Sequence, residues 1–283
     1  MSASQPAIPA AERRRAWRPF ALALPALVLL FAVIGYPLLT IVVRSLSEPQ
    51  WGLQNYIWFF GAPINLAVLR RTFLISAWVT LVCVVCAYPY AYLMTAVRPR
   101  VRLVLLLCVL IPFWVSGVVR TLSWVILLQD SGVTNSILRA LGFGGIRLIR
   151  TQTGVVIGMA QVLLPFMILP LYSVMKGIDL RLMQAARSLG ARPSRAFLTV
   201  YLPLSLPGVY AGAIIVFILA LGFYITHGPR STMLSTLVQT QVLSLLQWGR
   251  GGAMGVVLLV TTFVLLALAA PVMRSSHRQA GRP

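Results

Sequence analysis

Lys176–Pro203 reads KGIDLRLMQAARSLGARPSRAFLTVYLP, and it lies between two stretches without formal charge, Thr153–Met175 and Leu204–Thr226. Each flanking stretch, at about 1.5 Å of helix rise per residue, is long enough to cross a hydrocarbon layer of about 30 Å. A polar, patterned loop between two such stretches points to an all-helical integral membrane protein. Within the loop, Asp179 is set to cap a helix over Leu180–Leu189. Leu182, Ala185, Ala186 and Leu189 then share one apolar face with two small side chains. Gly190 falls where a helix ends in the left-handed region. Pro193 suits the first turn of a second short helix, with Phe197, Val200 and Tyr201 along its apolar side. Such a pair could rest on lipid headgroups. The alanines give little anchoring area and better suit close docking into another protein's groove.

Outward from the loop, three more stretches have the same character: Phe20–Val43, Phe73–Val97 and Met254–Met273. A sixth, Leu103–Val119, is interrupted by Arg120 before the apolar run resumes as TLSWVILL, so this helix tilts or continues past the hydrocarbon with Arg120 snorkelling. The expected organisation is a tail over 1–19, a transmembrane bundle over 20–273 and a tail over 274–283. Its spans lie near 20–43, 73–97, 103–119, 153–175, 204–226 and 254–273, with the loop over 176–203. The run after Phe20 has no small-residue site closing a short core, so an uncleaved first helix is expected rather than a signal peptide.

Composition agrees. Of 283 residues, 59% are hydrophobic and 10% charged, and the mean hydropathy is +0.89. Twenty-four Lys and Arg against four acids give a net charge of +20. That balance alone could suggest nucleic-acid binding, but so few charged residues cannot cover a soluble surface. The excess is better read as topology. With the N-terminus inside, fifteen basic residues fall on inner segments and nine on outer ones, which puts both termini in the cytoplasm. The outer nine are Arg44, Arg70, Arg71, Arg120, Arg139, Arg147, Arg150, Arg230 and Arg250.

At Gln184–Gly208, QAARSLGARPSRAFLTVYLPLSLPG resembles the EAA motif of permease subunits in bacterial ATP-binding-cassette (ABC) importers. Ala185, Ala186, Gly190, Leu202 and Pro203 match that motif, Asp179 stands where such sequences often carry an acid, and Gln184 replaces the usual Glu. Ile111–Leu138 (IPFWVSGVVRTLSWVILLQDSGVTNSIL) and Leu221–Thr226 (LGFYIT) resemble the spermidine/putrescine branch. Where that branch continues with a PALLGG-like stretch, this chain goes straight to His227–Arg230, which shortens the segment. The resemblance implies the type I importer permease fold, with six transmembrane helices and a cytoplasmic coupling helix between the fourth and fifth. It also implies a bacterial inner-membrane location and a second permease subunit, identical or homologous. Two cytoplasmic ATP-binding subunits and a solute-binding protein would complete the importer. ATP and Mg would be bound by the partner ATPase, with no cofactor in this chain. Asp179, Gln184, Ala185, Ala186, Gly190, Leu202 and Pro203 would couple to that ATPase.

The residues themselves offer no enzyme. The only lysine, Lys176, follows Met175, so no GxxxxGK phosphate loop exists. None of the uncharged spans holds Asp or Glu, which weighs against ion coupling through an intramembrane carboxylate. Cys83 and Cys86 have CxxC spacing in an apolar run and read as packing residues; His227 and His277 have no ligand partners nearby in sequence. A solute path needs polar groups inside the bundle. Trp114, Ser116 and Arg120 around the third span and Gln161 in the fourth are the candidates. Gln161 equally suits helix–helix adhesion, and Trp114 and Trp124 equally suit interfacial anchoring. A polyamine is the implied solute, with another small organic or anionic solute as the alternative. From different classes, a membrane scaffold and an ion-coupled secondary transporter remain open.

Overall fold

Pro63 needs no backbone donor in a first helical turn, and from it a single helix runs 34 residues to Ala96. At about 50 Å it outreaches the hydrocarbon and ties the two ends of the molecule together. The computed structural model of the chain describes residues 24–142, 148, 151–224 and 232–280. In chain order α1 spans Leu24–Ser47, α2 Gln54–Gly61, α3 Pro63–Ala96 and α4 Pro99–Trp114. Next come α5 (Gly117–Leu128), α6 (Val133–Ala140), α7 (Gln152–Lys176) and α8 (Arg181–Ser188). The last three are α9 (Pro193–Leu221), α10 (Leu234–Gln239) and α11 (Trp248–Ala280).

The core is a three-helix contact of α3, α7 and α9. On α3, Ile75, Val79, Cys83, Ala87 and Ala91 recur every fourth residue as a buried stripe. Its small centre lets α7 approach with Met159, Leu163, Met167 and Leu171. The Cys83 thiol donates to the Ala160 carbonyl at 3.6 Å. Close approach also governs α9 on α7. A Cβ on Gly212 would stand 3.1 Å from the Met167 carbonyl oxygen, and one on Gly208 2.9 Å from Val174 Cβ. This is the small-xxx-small geometry that lets membrane helices pack backbone to backbone where no hydrophobic force drives them together.

Outside this core, α1 lies on α11, and a Cβ on Gly252 would stand 2.9 Å from the Ile41 carbonyl. Of the α1 side chains only Ser45 is buried. The rest is an apolar surface that suits acyl chains. Two helices widen into a π turn just before a proline: Phe31–Gly35 before Pro37, and Phe197–Tyr201 before Pro203. Proline lacks the N–H and its ring presses on the carbonyl four residues back, and a wider turn relieves both. In the second case the Leu202 N–H reaches the Phe197 carbonyl instead.

Among the described residues, five helices are long and apolar enough to cross a membrane: α1, α3, α7, α9 and α11 up to Ala267. α3, α7, α9 and α11 begin ahead of their uncharged stretches, and α9 stops at Leu221 rather than Thr226, because charge marks where a helix meets water, not where its hydrogen bonding starts or stops. The helix expected after Pro193 is not separate; through the π turn it is continuous with the next apolar stretch. The stretch Leu103–Val119 is not one helix either. Pro112 weakens its last turn, Val115 and Ser116 are extended (ψ 131° and 136°), and α5 restarts at Gly117.

Candidate functional site

Asp179 shapes the start of the loop between α7 and α9. Its Oδ1 accepts the Arg181 N–H at 2.9 Å, supplying one of the bonds that a helix start lacks. The far end closes at Gly190, at φ +89°. There the Ala191 N–H reaches the Ala186 carbonyl at 3.1 Å and the Gly190 N–H reaches Arg187 at 3.0 Å. This is the paired Schellman closure that satisfies free carbonyls. Both ends of α8 are therefore fixed by local chemistry, and none of its eight residues is buried.

The apolar face expected of Leu182, Ala185, Ala186 and Leu189 is turned outward. Leu182, Ala185 and Leu189 are exposed, Leu189 at 89%, and Ala186 is half-buried. The α8 residue that packs against the core is Met183; Ile178 before the helix and Phe197 after it do the same. Gln184 is exposed, and its carbonyl accepts the Ser188 hydroxyl at 3.1 Å. Leu202 and Pro203 stand beyond the π turn at the base of the membrane part of α9.

Beneath the loop lies an aromatic cluster that periodicity did not reveal. Phe197 and Tyr201 stack at 5.5 Å, and Tyr92 meets both edge-on at 5.7 and 5.3 Å. Tyr88 meets Phe197 edge-on at 6.0 Å. Residues 88 and 92, and 197 and 201, are four apart on facing helices. The Tyr-x-x-x-Tyr and Phe-x-x-x-Tyr spacings are therefore the sequence signal that could have found it.

The pathway candidates gather around the α4–α5 break. Trp114, the last residue of α4, is 89% exposed, and Ser116 is exposed. Arg120 donates through Nη2 to the Val115 carbonyl at 3.4 Å, one of the groups that the break frees. Gln161 is half-buried on α7 and accepts the Trp124 indole N–H at 3.2 Å, joining α5 to α7. Arg120 and Gln161 are thus held by different partners. His227–Arg230 lies outside the described residues.

The opposite end of α3 carries a polar cap. Asn55 Nδ2 donates to the Ser45 carbonyl at 2.9 Å and the Glu48 carbonyl at 2.6 Å, and the Ser45 and Tyr56 hydroxyls bond at 2.8 Å. Arg44 pairs with Glu48 at 3.6 Å and lies 5.2 Å over Trp248. Arg250 lies 4.5 Å over Trp58 and donates to Gln247 at 2.9 Å. Between them is a cavity of about 380 Å³ lined by Glu48, Asn55, Trp248 and Arg250. A Cβ on Gly249 would stand 2.5 Å from the Glu48 carbonyl, so only glycine lets α11 close this cap.

A bundle built on three packed membrane helices, with a capped surface helix between the last two of them, has the fold of an ABC importer permease subunit. It superposes on a chain of the crystal structure of a bacterial alginate ABC transporter in complex with an alginate pentasaccharide-bound periplasmic protein. The TM-score is 0.76, covering 92% of this chain and 94% of that one at 16% identity. At that identity the likeness concerns the fold. No family model matches the chain. Relatives in sequence carry the identification further. The spermidine/putrescine transport system permease protein PotB of Haemophilus influenzae is 34% identical over 220 residues, 76% of this chain and 77% of that protein. The PotB of Escherichia coli K12 is 32% identical over 240 residues, 83% and 87% of the two chains. This chain belongs to that family of ABC transport-system permease proteins, and is a multi-pass membrane protein. The resemblance read at Gln184–Gly208 and Ile111–Leu138 holds across most of its length.

Proposed function

We propose that the chain forms half of the membrane passage of an ATP-driven polyamine importer, with both termini in the cytoplasm. In this reading α8 is the coupling helix. The observation that carries it is an eight-residue helix capped at both ends by its own sequence, connecting two core helices, with no side chain buried. A helix rigid in itself and open on its small-residue face suits insertion into a groove on an ATPase subunit. ATP and Mg would be bound there. Gln184 keeps the length and hydrogen-bonding head of the usual Glu but not the charge, so docking would rest on shape and hydrogen bonds.

The solute path is assigned to the side of the α4–α5 break. Backbone that leaves the helix at membrane depth is tolerated where it lines a water-filled cavity or is covered by protein. Trp114, Ser116 and Arg120 would face a second permease subunit across that path, with Gln161 fixing α5 through Trp124. An exposed indole face such as that of Trp114 suits an ammonium group. At the other end, Arg44 and Arg250 are engaged by Glu48, Trp248, Trp58 and Gln247. Arg44 is thereby paired with a carboxylate and Arg250 is held by an indole and an amide, so these two of the nine outer arginines are engaged within the chain, which weakens the argument for an anionic solute. A solute-binding protein would deliver the polyamine at this end.

The test is reconstitution with the ATPase and solute-binding partners in proteoliposomes. Labelled spermidine uptake that requires ATP is expected; uptake that survives ATP depletion but not loss of an ion gradient would mean a secondary transporter. A cysteine at Ala186 should crosslink to the ATPase subunit, and failure at every position of α8 would sink the coupling role. A reporter fused after His277 should read cytoplasmic.

A further inference from the structure

The segment joining α8 to the membrane part of α9 is, by its backbone, a poor lever. Pro203 and Pro207 each remove an intrahelical donor, and the π turn Phe197–Tyr201 precedes them. A helix missing two rungs within two turns bends easily. Yet this segment connects α8 to the core, and motion entering at α8 would be dissipated here unless side chains stiffen it.

Two side chains do so. Ser205 is fully buried on α9, and its hydroxyl donates to the Leu202 carbonyl at 2.8 Å. That carbonyl lies between the two prolines' defects. The same Ser205 oxygen is 2.9 Å from the Tyr88 hydroxyl on α3. A serine has one hydroxyl proton, already given to Leu202, so Tyr88 must be the donor in the second bond. The chain Tyr88 O–H to Ser205 O–H to Leu202 C=O therefore ties the weak segment to the longest core helix. Tyr88 also touches Phe197, so one side chain holds the π turn and the helix beyond it.

We infer that Tyr88 and Ser205 are positioning residues of energy coupling: they clamp the α8–α9 junction to α3, so that the loop and core helix move as one body. The inference rests on the coupling role proposed for α8. It adds Tyr88, which lies 117 positions before Ser205 and outside the EAA-like stretch, and it gives a role to Ser205, which lies within that stretch but is not one of its matched residues.

Spin labels at Val85 on α3 and Leu189 after α8, both exposed, read the clamp directly. They are placed in the full importer with Cys83→Ala, Cys86→Ser and Cys108→Ser. One distance is expected, the same without nucleotide and with ATP and vanadate. In Tyr88→Phe, which leaves Ser205 bonded to Leu202, the two distributions should separate. A wild type whose distances already differ, or a Tyr88→Phe variant whose distributions stay superimposed, would overturn the clamp. As a second readout, labelled spermidine moved per ATP hydrolysed should fall about fivefold in Tyr88→Phe, the worth of one such bond. The fall should be similar in Ser205→Ala and no greater in the double variant; a further drop in the double variant would mean that the two act separately. A missing crosslink along α8 overturns the coupling role and this proposal with it. A formed crosslink with superimposed Tyr88→Phe distributions overturns the proposal alone.

Discussion

The two ends of α3 are built on opposite principles. At the cap end, several buried polar groups bond to partners from other elements. Asn55 bridges the end of α1 and the turn after it, Thr72 accepts the Leu234 N–H at 2.8 Å, and Gly249 admits the Glu48 carbonyl. At the loop end, α8 satisfies itself within Asp179–Ala191 and spends almost no surface on the rest of the chain. The first is what a rigid rim requires; the second leaves a surface free for another protein. Local capping makes a helix that survives without its partner, whereas tertiary capping makes one that cannot move independently.

The largest expected effect is at the loop end and is functional. Ala185→Trp should cut uptake by about thirtyfold, the worth of roughly 2 kcal/mol at an interface, while detergent-phase melting is unaltered. A lowered melting temperature would mean that the face is already packed within the chain. Next comes Asn55→Ala at the cap, expected to cost about 2 kcal/mol by leaving the buried Ser45 carbonyl and the part-buried Glu48 carbonyl without this donor. Thermal unfolding in detergent checks this, and an unchanged midpoint would break the contrast between the ends. A matched pair of glycines sharpens it. Gly249→Ala should destabilise by about 1–3 kcal/mol through overpacking. Gly190→Ala meets open space and should cost only about 1 kcal/mol, from its positive φ. Equal costs would mean that the two ends do not differ as described. Smallest is Arg250→Ala, about 0.5–1 kcal/mol for an arginine over the half-buried Trp58 indole; the midpoint should move less than for Gly249→Ala.

Much of the loop is legible in the sequence, because its determinants are local. An acid two residues ahead of a helix and a glycine after it act through bonds within a few residues, so Asp179 and Gly190 do what their positions imply. The orientation of the apolar face is less legible. Periodicity groups Leu182, Ala185, Ala186 and Leu189 correctly, but only the neighbours decide that Met183 is the residue seated on the core. Around the third apolar stretch, Arg120 marks an irregularity, but the break lies earlier, at Val115–Ser116. Arg120 then turns back to a carbonyl that the break frees.

By itself the sequence determined the membrane class, the uncharged stretches, the capped loop and the family, since each follows from composition, local hydrogen bonding or motif. Tertiary structure decided which partners engage Arg44 and Arg250, which glycines are required by close approach and which tyrosine meets Ser205. Those depend on groups brought together from distant positions, and a one-dimensional pattern carries no distance between them. The charge excess shows both sides of this division. Its sign along the chain suggests a topology, and its engagement by Glu48, Trp58 and Trp248 emerges only when helices α1, α2 and α11 meet.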